Sequence, residues 1–109
     1  MIEKAFVGGA DKNCEWLLPW WLGNIRKNSS IPVLIYDFGL SKKGKDWAHR
    51  NNIDLLTLEH NNGWFMKPSA ILDAPAKQRI WLDIDCEVKK PIDDIFSFIE
   101  SFMGIKLEN

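Results

Sequence analysis

Two aspartates, Asp83 and Asp85, stand one residue apart at the end of a short apolar segment and are the residues best suited to do chemistry in this chain. They follow Ile80, Trp81 and Leu82, which is typical of a strand covered on both faces, as in a parallel sheet. Open α/β sheets bind ligands at the carboxyl ends of their strands. Carboxylates there can share one hard divalent cation, Mg²⁺ or Mn²⁺. The pair therefore predicts a metal site, although a solvated acidic turn after a strand fits the triplet equally well.

The composition limits the classes of protein to which the chain can belong. Its 109 residues suffice for one domain, 1–109, with a single core. A net charge of −1 gives no indication of nucleic-acid binding. The two cysteines, Cys14 and Cys86, lie far apart, which favours reduced thiols in the cytoplasm over a disulfide framework. Because no long apolar run is present, we expect neither a signal peptide nor a transmembrane segment.

Strand-like and helix-like segments alternate along the chain. An alternation of this kind predicts an α/β fold with a mostly parallel, Rossmann-like sheet and helices on both faces. Strands are expected near residues 4–8, 32–37, 54–58 and 79–83, after a charged approach at 77–79, and a last strand at 104–107. Helices are expected from Asp11 to about Lys27, from Ser41 to about Arg50, from about Pro68 to just before Pro75, and after Pro91.

The first of these helices has a regular apolar face and one irregular feature. Leu18, Trp21 and Leu22 belong to a stripe with helical spacing that should be buried. Pro19 interrupts the pattern and should kink the helix or delay its regular start. Trp16 and Trp20 lie off this stripe, so they would suit a partner or a missing segment.

The expected topology brings a pair of glycines opposite the two aspartates. Right-handed crossovers lay the first three strands successively to one side. If the Trp81 strand returns beside the first strand, the strand order reverses between them, and such a reversal opens a crevice. Gly8 and Gly9 would then face Asp83 and Asp85 across it. Without Cβ atoms they would let a base or a phosphate approach the backbone, although an ordinary tight turn also explains two glycines.

With these segments in order, the chain resembles the N-terminal, donor-binding half of GT-A-fold glycosyltransferases, which carry an Asp-x-Asp motif after a hydrophobic strand. The resemblance implies a truncated GT-A-like nucleotide-diphospho-sugar transferase fold. It also implies binding of a nucleotide-diphosphate sugar, with a UDP-sugar favoured, through Mn²⁺ or Mg²⁺. The matching segments are residues 6–9, 36–41, 64–71 and 81–88, followed by Pro91 and Ile92.

The resemblance also implies a role for each residue of the donor site. Asp85 would ligate the metal that bridges the diphosphate, and Asp83 would touch the ribose and support the metal, with the backbone of Ile84 nearby. Lys67 is a candidate cation for the diphosphate, and a solvent-exposed lysine at a helix start is an equal alternative. The residues expected to border the nucleotide are Val7, Gly8, Gly9 and Asp37.

The chain departs from that family in length. The acceptor site, a third metal ligand (often a histidine) and any catalytic base would follow Asn109, and both His49 and His60 precede the motif. We therefore assign no catalytic residue. We expect donor binding without turnover unless further chain or a partner supplies the missing C-terminal half.

Two other functions fit parts of the sequence. A haloacid-dehalogenase-like phosphatase would use Asp83 as nucleophile and Asp85 as acid, but those enzymes place the motif near the start of the fold. A non-catalytic interaction module would use Trp16 and Trp20 to bind a partner or to form a homo-oligomer.

Overall fold

Strands and helices alternate in the computed structural model, which describes residues 2–58 and 66–97 and, for side chains, omits residues 66–68 as well. A single 3₁₀ turn, Glu15–Leu17, leads into the first α-helix. The elements in chain order are β1 Ile2–Ala10, α1 Leu18–Asn28, β2 Val33–Asp37, α2 Lys42–Arg50, α3 Met66–Asp73 and β3 Ala76–Trp81.

The strands form one parallel sheet in the order β2-β1-β3. Phe6 is paired with Val33 on one side of β1, and Val7 is paired with Trp81 on the other. The chain therefore moves outward from β1 to β2 and later returns to the opposite side of β1. This confirms the predicted reversal of strand order, and the prediction of an α/β fold with a parallel sheet is confirmed with it.

Helices cover both faces of the sheet. Neighbouring residues of β1 point to opposite faces, so each contacts a different helix. Phe6 belongs to a buried cluster with Leu18 and Trp21 of α1. Val7 belongs to a second cluster with Ala70 of α3 and with Tyr36 of β2. The central strand is therefore apolar on each side, as expected for a strand inside a parallel sheet.

Proline delays the start of α1, as its position in the sequence predicts. Asp11 accepts a hydrogen bond from the backbone N–H of Asn13 at 2.8 Å, so it closes a turn, and the regular helix begins only at Leu18 with Pro19 in its first turn. Trp21 is fully buried, whereas Trp16 and Trp20 are 73% and 41% exposed. The predicted division between a buried stripe and two outlying tryptophans is confirmed.

Two predicted strands differ from the observed ones. The segment 54–58 forms only an isolated parallel bridge between Leu56 and Tyr36, because the described residues give it no second partner to extend the ladder. The strand expected at 79–83 runs instead over Ala76–Trp81. Its charged first half alternates, with Ala76 and Gln78 buried and Lys77 exposed, so the segment 77–79 is part of the strand rather than an approach to it.

Other predictions fall partly or wholly beyond the described residues. The helix after Pro91 is seen only as a helical turn at residues 95–97. The strand expected at 104–107 and the loop residue His60 lie outside the described ranges. Among the residues that are described, no helix is long and apolar enough to span a bilayer.

Candidate functional site

The carboxyl edge of the sheet, where β1, β2 and β3 end at Ala10, Asp37 and Trp81, holds the two aspartates. The backbone N–H of Leu82 donates to the carbonyl of Val7 at 2.9 Å, so the chain leaving β3 stays beside β1. Asp83 and Asp85 therefore follow at the reversal of strand order, where the sequence predicts them and where α/β sheets bind ligands.

Buried side chains anchor the backbone around Asp83 and Asp85. Ile84 and Val88 are each 8% exposed and belong to the cluster that packs on α1. The carbonyl of Val88 accepts a hydrogen bond from the side chain of Asn28, Nδ2 to O 2.9 Å. The N–H of Cys86 donates to the carbonyl of Asp83 at 2.9 Å and closes a turn that contains Ile84. The buried side chain of Ile84 therefore anchors the turn, and the nearness of its backbone to a nucleotide stays a prediction.

The two carboxylates of the motif have different surroundings. Asp83 is half-buried and accepts a hydrogen bond from the indole N–H of Trp81, Nε1 to Oδ1 2.7 Å. Asp85 is exposed and makes no hydrogen bond or ion pair with any residue that the structure describes. Asp85 is consequently the carboxylate that can bind a solvent-borne cation without first breaking an internal contact.

The donor atoms at this edge suit a hard cation held jointly with a ligand. Asp83 and Asp85 offer carboxylate oxygens, which Mg²⁺ and Mn²⁺ prefer, and Mg²⁺ is commonly bound by one or two carboxylates together with substrate phosphates. Within residues 2–58 and 66–97, no three His, Cys, Asp or Glu side chains come together as a metal-binding group. Among the described residues, these two carboxylates are thus no complete protein cage for a metal, and binding of Mn²⁺ or Mg²⁺ here stays a prediction.

Both glycines of β1 leave space that aromatic rings occupy. A Cβ on Gly8 would lie 2.6 Å from the ring of Trp21, and a Cβ on Gly9 would lie 2.4 Å from the ring of Phe38. Val7, beside them, is fully buried. These glycines are predicted to let a ligand approach the backbone, and in the structure aromatic rings pack closely against both of them, one on each face of β1. Contact of Val7, Gly8 and Gly9 with a nucleotide stays a prediction.

Asp37 organises the turn that follows β2. Its Oδ1 accepts hydrogen bonds from the backbone N–H groups of Gly39 and Leu40, at 2.8 and 2.7 Å. Gly39 has a φ of +120°, which a residue with a Cβ rarely adopts. The carbonyl of Gly39 accepts from the N–H of Lys12 at 2.9 Å, so the loops after β1 and β2 are joined. Asp37 thus lies at the same edge of the sheet as the aspartate motif, and its contact with a nucleotide base stays a prediction.

A row of three aromatic rings crosses the edge and was not predicted from the sequence. The rings of Tyr36 and Phe38 stack with centroids 6.2 Å apart, and those of Phe38 and Trp81 stack at the same separation. The Tyr36 hydroxyl donates to Asp73 Oδ2 at 2.6 Å, and burial, followed by this contact, raises the pKa of Tyr36. One signal was available: Trp81 and Asp83 are two apart, which puts both side chains on one side of an extended chain.

Two further residues were considered from the sequence, and the structure describes the side chain of one of them. Lys67 is in α3, but its side chain lies outside the described part of the structure, so its contact with a diphosphate stays a prediction. His49 is exposed near the end of α2, as expected for a surface histidine.

Comparisons with protein-family models, with curated proteins and with solved structures give no match to this chain. Its function is therefore inferred from the residues at the carboxyl edge and from the resemblance of its motifs.

Proposed function

We propose that the chain binds a nucleotide-diphosphate sugar, a UDP-sugar in particular, through a divalent cation at the carboxyl edge between β1 and β3. The observation that carries the proposal is the position of Asp83 and Asp85, which follow β3 directly at the reversal of strand order and remain tied to β1 through Leu82 and Val7. On this proposal the chain is the donor-binding part of a GT-A-like glycosyltransferase.

The roles of the residues follow from their surroundings. Asp85, exposed and without an internal partner among the described residues, would ligate the Mn²⁺ or Mg²⁺. Asp83, held by Trp81, would support the cation and contact the ribose. The turn shaped by Asp37 would border the base. A divalent cation bound there would neutralise the charge that develops on a departing diphosphate, an effect on the order of several kcal/mol.

Transfer of the sugar needs more than a donor site. A catalytic base and an acceptor site are not assigned to any residue of the chain, so we expect donor binding with little or no transfer by these 109 residues alone. Further chain or a partner protein would complete the enzyme.

Binding of UDP by three aspartate variants tests the proposal. Asp85→Asn removes the directly ligating charge and should weaken Mn²⁺-dependent binding by about tenfold or more. Asp83→Asn should weaken it less. Asp54→Asn is the matched control, since Asp54 is exposed and lies in the segment beyond β2. Isothermal titration with UDP and Mn²⁺ measures all three, and equal binding by Asp85→Asn and the parent would leave the motif as an acidic turn.

A phosphatase would behave differently at the same motif. An aspartate nucleophile forms an aspartyl-phosphate, which beryllofluoride with Mg²⁺ mimics on the carboxylate. We expect no such adduct on Asp83. Stoichiometric beryllofluoride binding that Asp83→Asn abolishes would replace the donor-site proposal with a haloacid-dehalogenase-like function.

A further inference from the structure

Trp81 is the last residue of β3 and contacts both the aspartate motif and the loop after β2. Its ring is half-buried and belongs to the cluster on the α3 face of the sheet. One edge of the indole carries the N–H that reaches Asp83 Oδ1 at 2.7 Å. The ring also stacks on Phe38, with an interplanar angle of 21°. The side chain of Trp81 thus makes an apolar contact with Phe38 and a polar contact with Asp83.

The hydrogen bond from Trp81 restricts the carboxylate of Asp83. An N–H that donates to an ionised carboxylate forms a shorter and stronger bond than one between neutral groups. The distance of 2.7 Å is at the short end of the range for N–H···O bonds. The bond therefore restricts the directions in which the oxygens of Asp83 point.

The ring of Trp81 is itself held in place by Phe38. The Phe38 ring lies over Gly9, where a Cβ would come within 2.4 Å of it. The backbone N–H of Phe38 donates to the carbonyl of Ala10 at 2.9 Å. Because these contacts fix Phe38 against β1, the stack transmits that fixed position to Trp81 and then to Asp83.

We propose that Trp81 is a positioning residue of the donor site, whose indole N–H orients the Asp83 carboxylate toward the bound metal and nucleotide while its ring ties that carboxylate to Phe38. This inference rests on the proposed function for its ligand, and on the geometry of Trp81 and Asp83 for its mechanism. The two aspartates then have different roles. Asp85 binds the cation from solvent, whereas Asp83 is oriented by a contact within the fold.

The first test reads the hydrogen bond itself and needs no nucleotide. In a ¹⁵N–¹H correlation spectrum, Trp81→Phe identifies the Trp81 indole signal by its loss. Asp83→Ala should move that signal upfield and speed its exchange with solvent, whereas Asp85→Ala should leave it in place. An indole signal that does not respond to Asp83→Ala would overturn the inference whether or not the protein binds UDP.

The second test reads the effect on the ligand through a double-mutant cycle. Trp81→Phe keeps a ring against Phe38 and removes the N–H, and it should weaken Mn²⁺-dependent UDP binding about threefold to tenfold. The double variant Trp81→Phe/Asp83→Ala should bind no more weakly than Asp83→Ala alone, because Trp81 acts through Asp83. Trp47→Phe, at a half-buried tryptophan of α2, is the control and should bind like the parent.

The outcomes separate the two proposals. If the parent binds UDP with Mn²⁺ and Trp81→Phe binds equally well, the positioning role is wrong and the donor site stands. If the losses in the double variant add, Trp81 acts independently of Asp83 and the role is again wrong. If the parent does not bind at all, the proposed function fails, while the indole spectrum still decides whether Trp81 holds Asp83.

Discussion

The carboxylate of Glu15 accepts two hydrogen bonds from Ser41, one from its backbone N–H at 2.8 Å and one from its hydroxyl. Ser41 is at the same time the N-cap of α2, where its side chain accepts from the N–H of Gly44 at 3.4 Å. The 3₁₀ turn before α1 and the start of α2 are thereby joined through one side chain. This contact holds together the segments that follow β1 and β2 at the carboxyl edge of the sheet.

The contact between Glu15 and Ser41 predicts a pH-dependent contribution to stability. Hydrogen bonds from the Ser41 hydroxyl and then from its N–H lower the pKa of Glu15 below its ordinary value of 4.5. Because the folded-state pKa is the lower one, the contribution is present above the unfolded-state pKa and is lost as pH falls through the folded-state pKa. The thermal midpoint of Glu15→Gln should therefore lie further below the parent's at pH 7 than at about pH 3.

Thermal unfolding followed by circular dichroism at both pH values measures this difference. Glu87→Gln is the control for the loss of a negative charge, since Glu87 is exposed and its ion pair with Lys89 spans 3.8 Å. A gap between the parent and Glu15→Gln that does not change with pH would contradict the prediction.

Two glycines should respond in opposite directions to an added methyl group. A Cβ on Gly8 would meet the buried ring of Trp21 at 2.6 Å, whereas a Cβ on Gly23 would have nothing within 4 Å. Gly8→Ala should lower the free energy of unfolding by about 1–3 kcal/mol through overpacking. Gly23→Ala, inside α1, should raise it by about 0.5–1 kcal/mol, because alanine favours the helix. Urea unfolding measures both, and a neutral Gly8→Ala would show that Trp21 can move aside.

The tryptophans of α1 should differ sharply when truncated. Trp21 is fully buried and Trp20 is 41% exposed. Trp21→Ala should cost about 3–5 kcal/mol of unfolding free energy, whereas Trp20→Ala should change it by about 0.5 kcal/mol or less. Urea denaturation of the two variants gives the comparison, and similar losses for both would mean that α1 packs through another face.

The sequence predicts those parts of the fold that depend on neighbouring residues. The Ser41 cap is a local effect of a hydroxyl, and the late start of α1 at Leu18, with Pro19 in its first turn, is a local effect of a missing N–H. The edge that carries Asp83 and Asp85 followed from the alternation of strands and helices together with the handedness of crossovers.

Other features depend on distant parts of the chain and could not be predicted in the same way. The segment around Leu56 is apolar enough for a strand, but a strand also needs ladder partners, and among residues 2–58 and 66–97 it forms only the bridge to Tyr36. No sequence neighbour of Gly9 explains why a glycine is needed there, because the ring that packs against it belongs to Phe38, in the turn after β2. Neither contact is encoded in local periodicity.

The exposed tryptophans predict self-association. Trp16 and Trp20 are four residues apart and are 73% and 41% exposed, and burial of such rings against a second copy would remove apolar surface from water. We expect the weight-average mass in light scattering to rise with protein concentration and Trp16→Ser/Trp20→Ser to abolish that rise. Lys12→Ser, an exposed neighbour, is the control. A strictly monomeric parent at high concentration would contradict the prediction.

The metal dependence of UDP binding tests the donor-site proposal most directly. Two carboxylates at one sheet edge repel a diphosphate unless a cation stands between them. Isothermal titration of the parent with UDP should therefore give weak binding in Mn²⁺ and affinity at least about tenfold lower in chelator, a difference of about 1.4 kcal/mol. Equal affinity for UDP with Mn²⁺ and with chelator, or no binding in either, would contradict the assignment of Asp83 and Asp85 to a metal–diphosphate site.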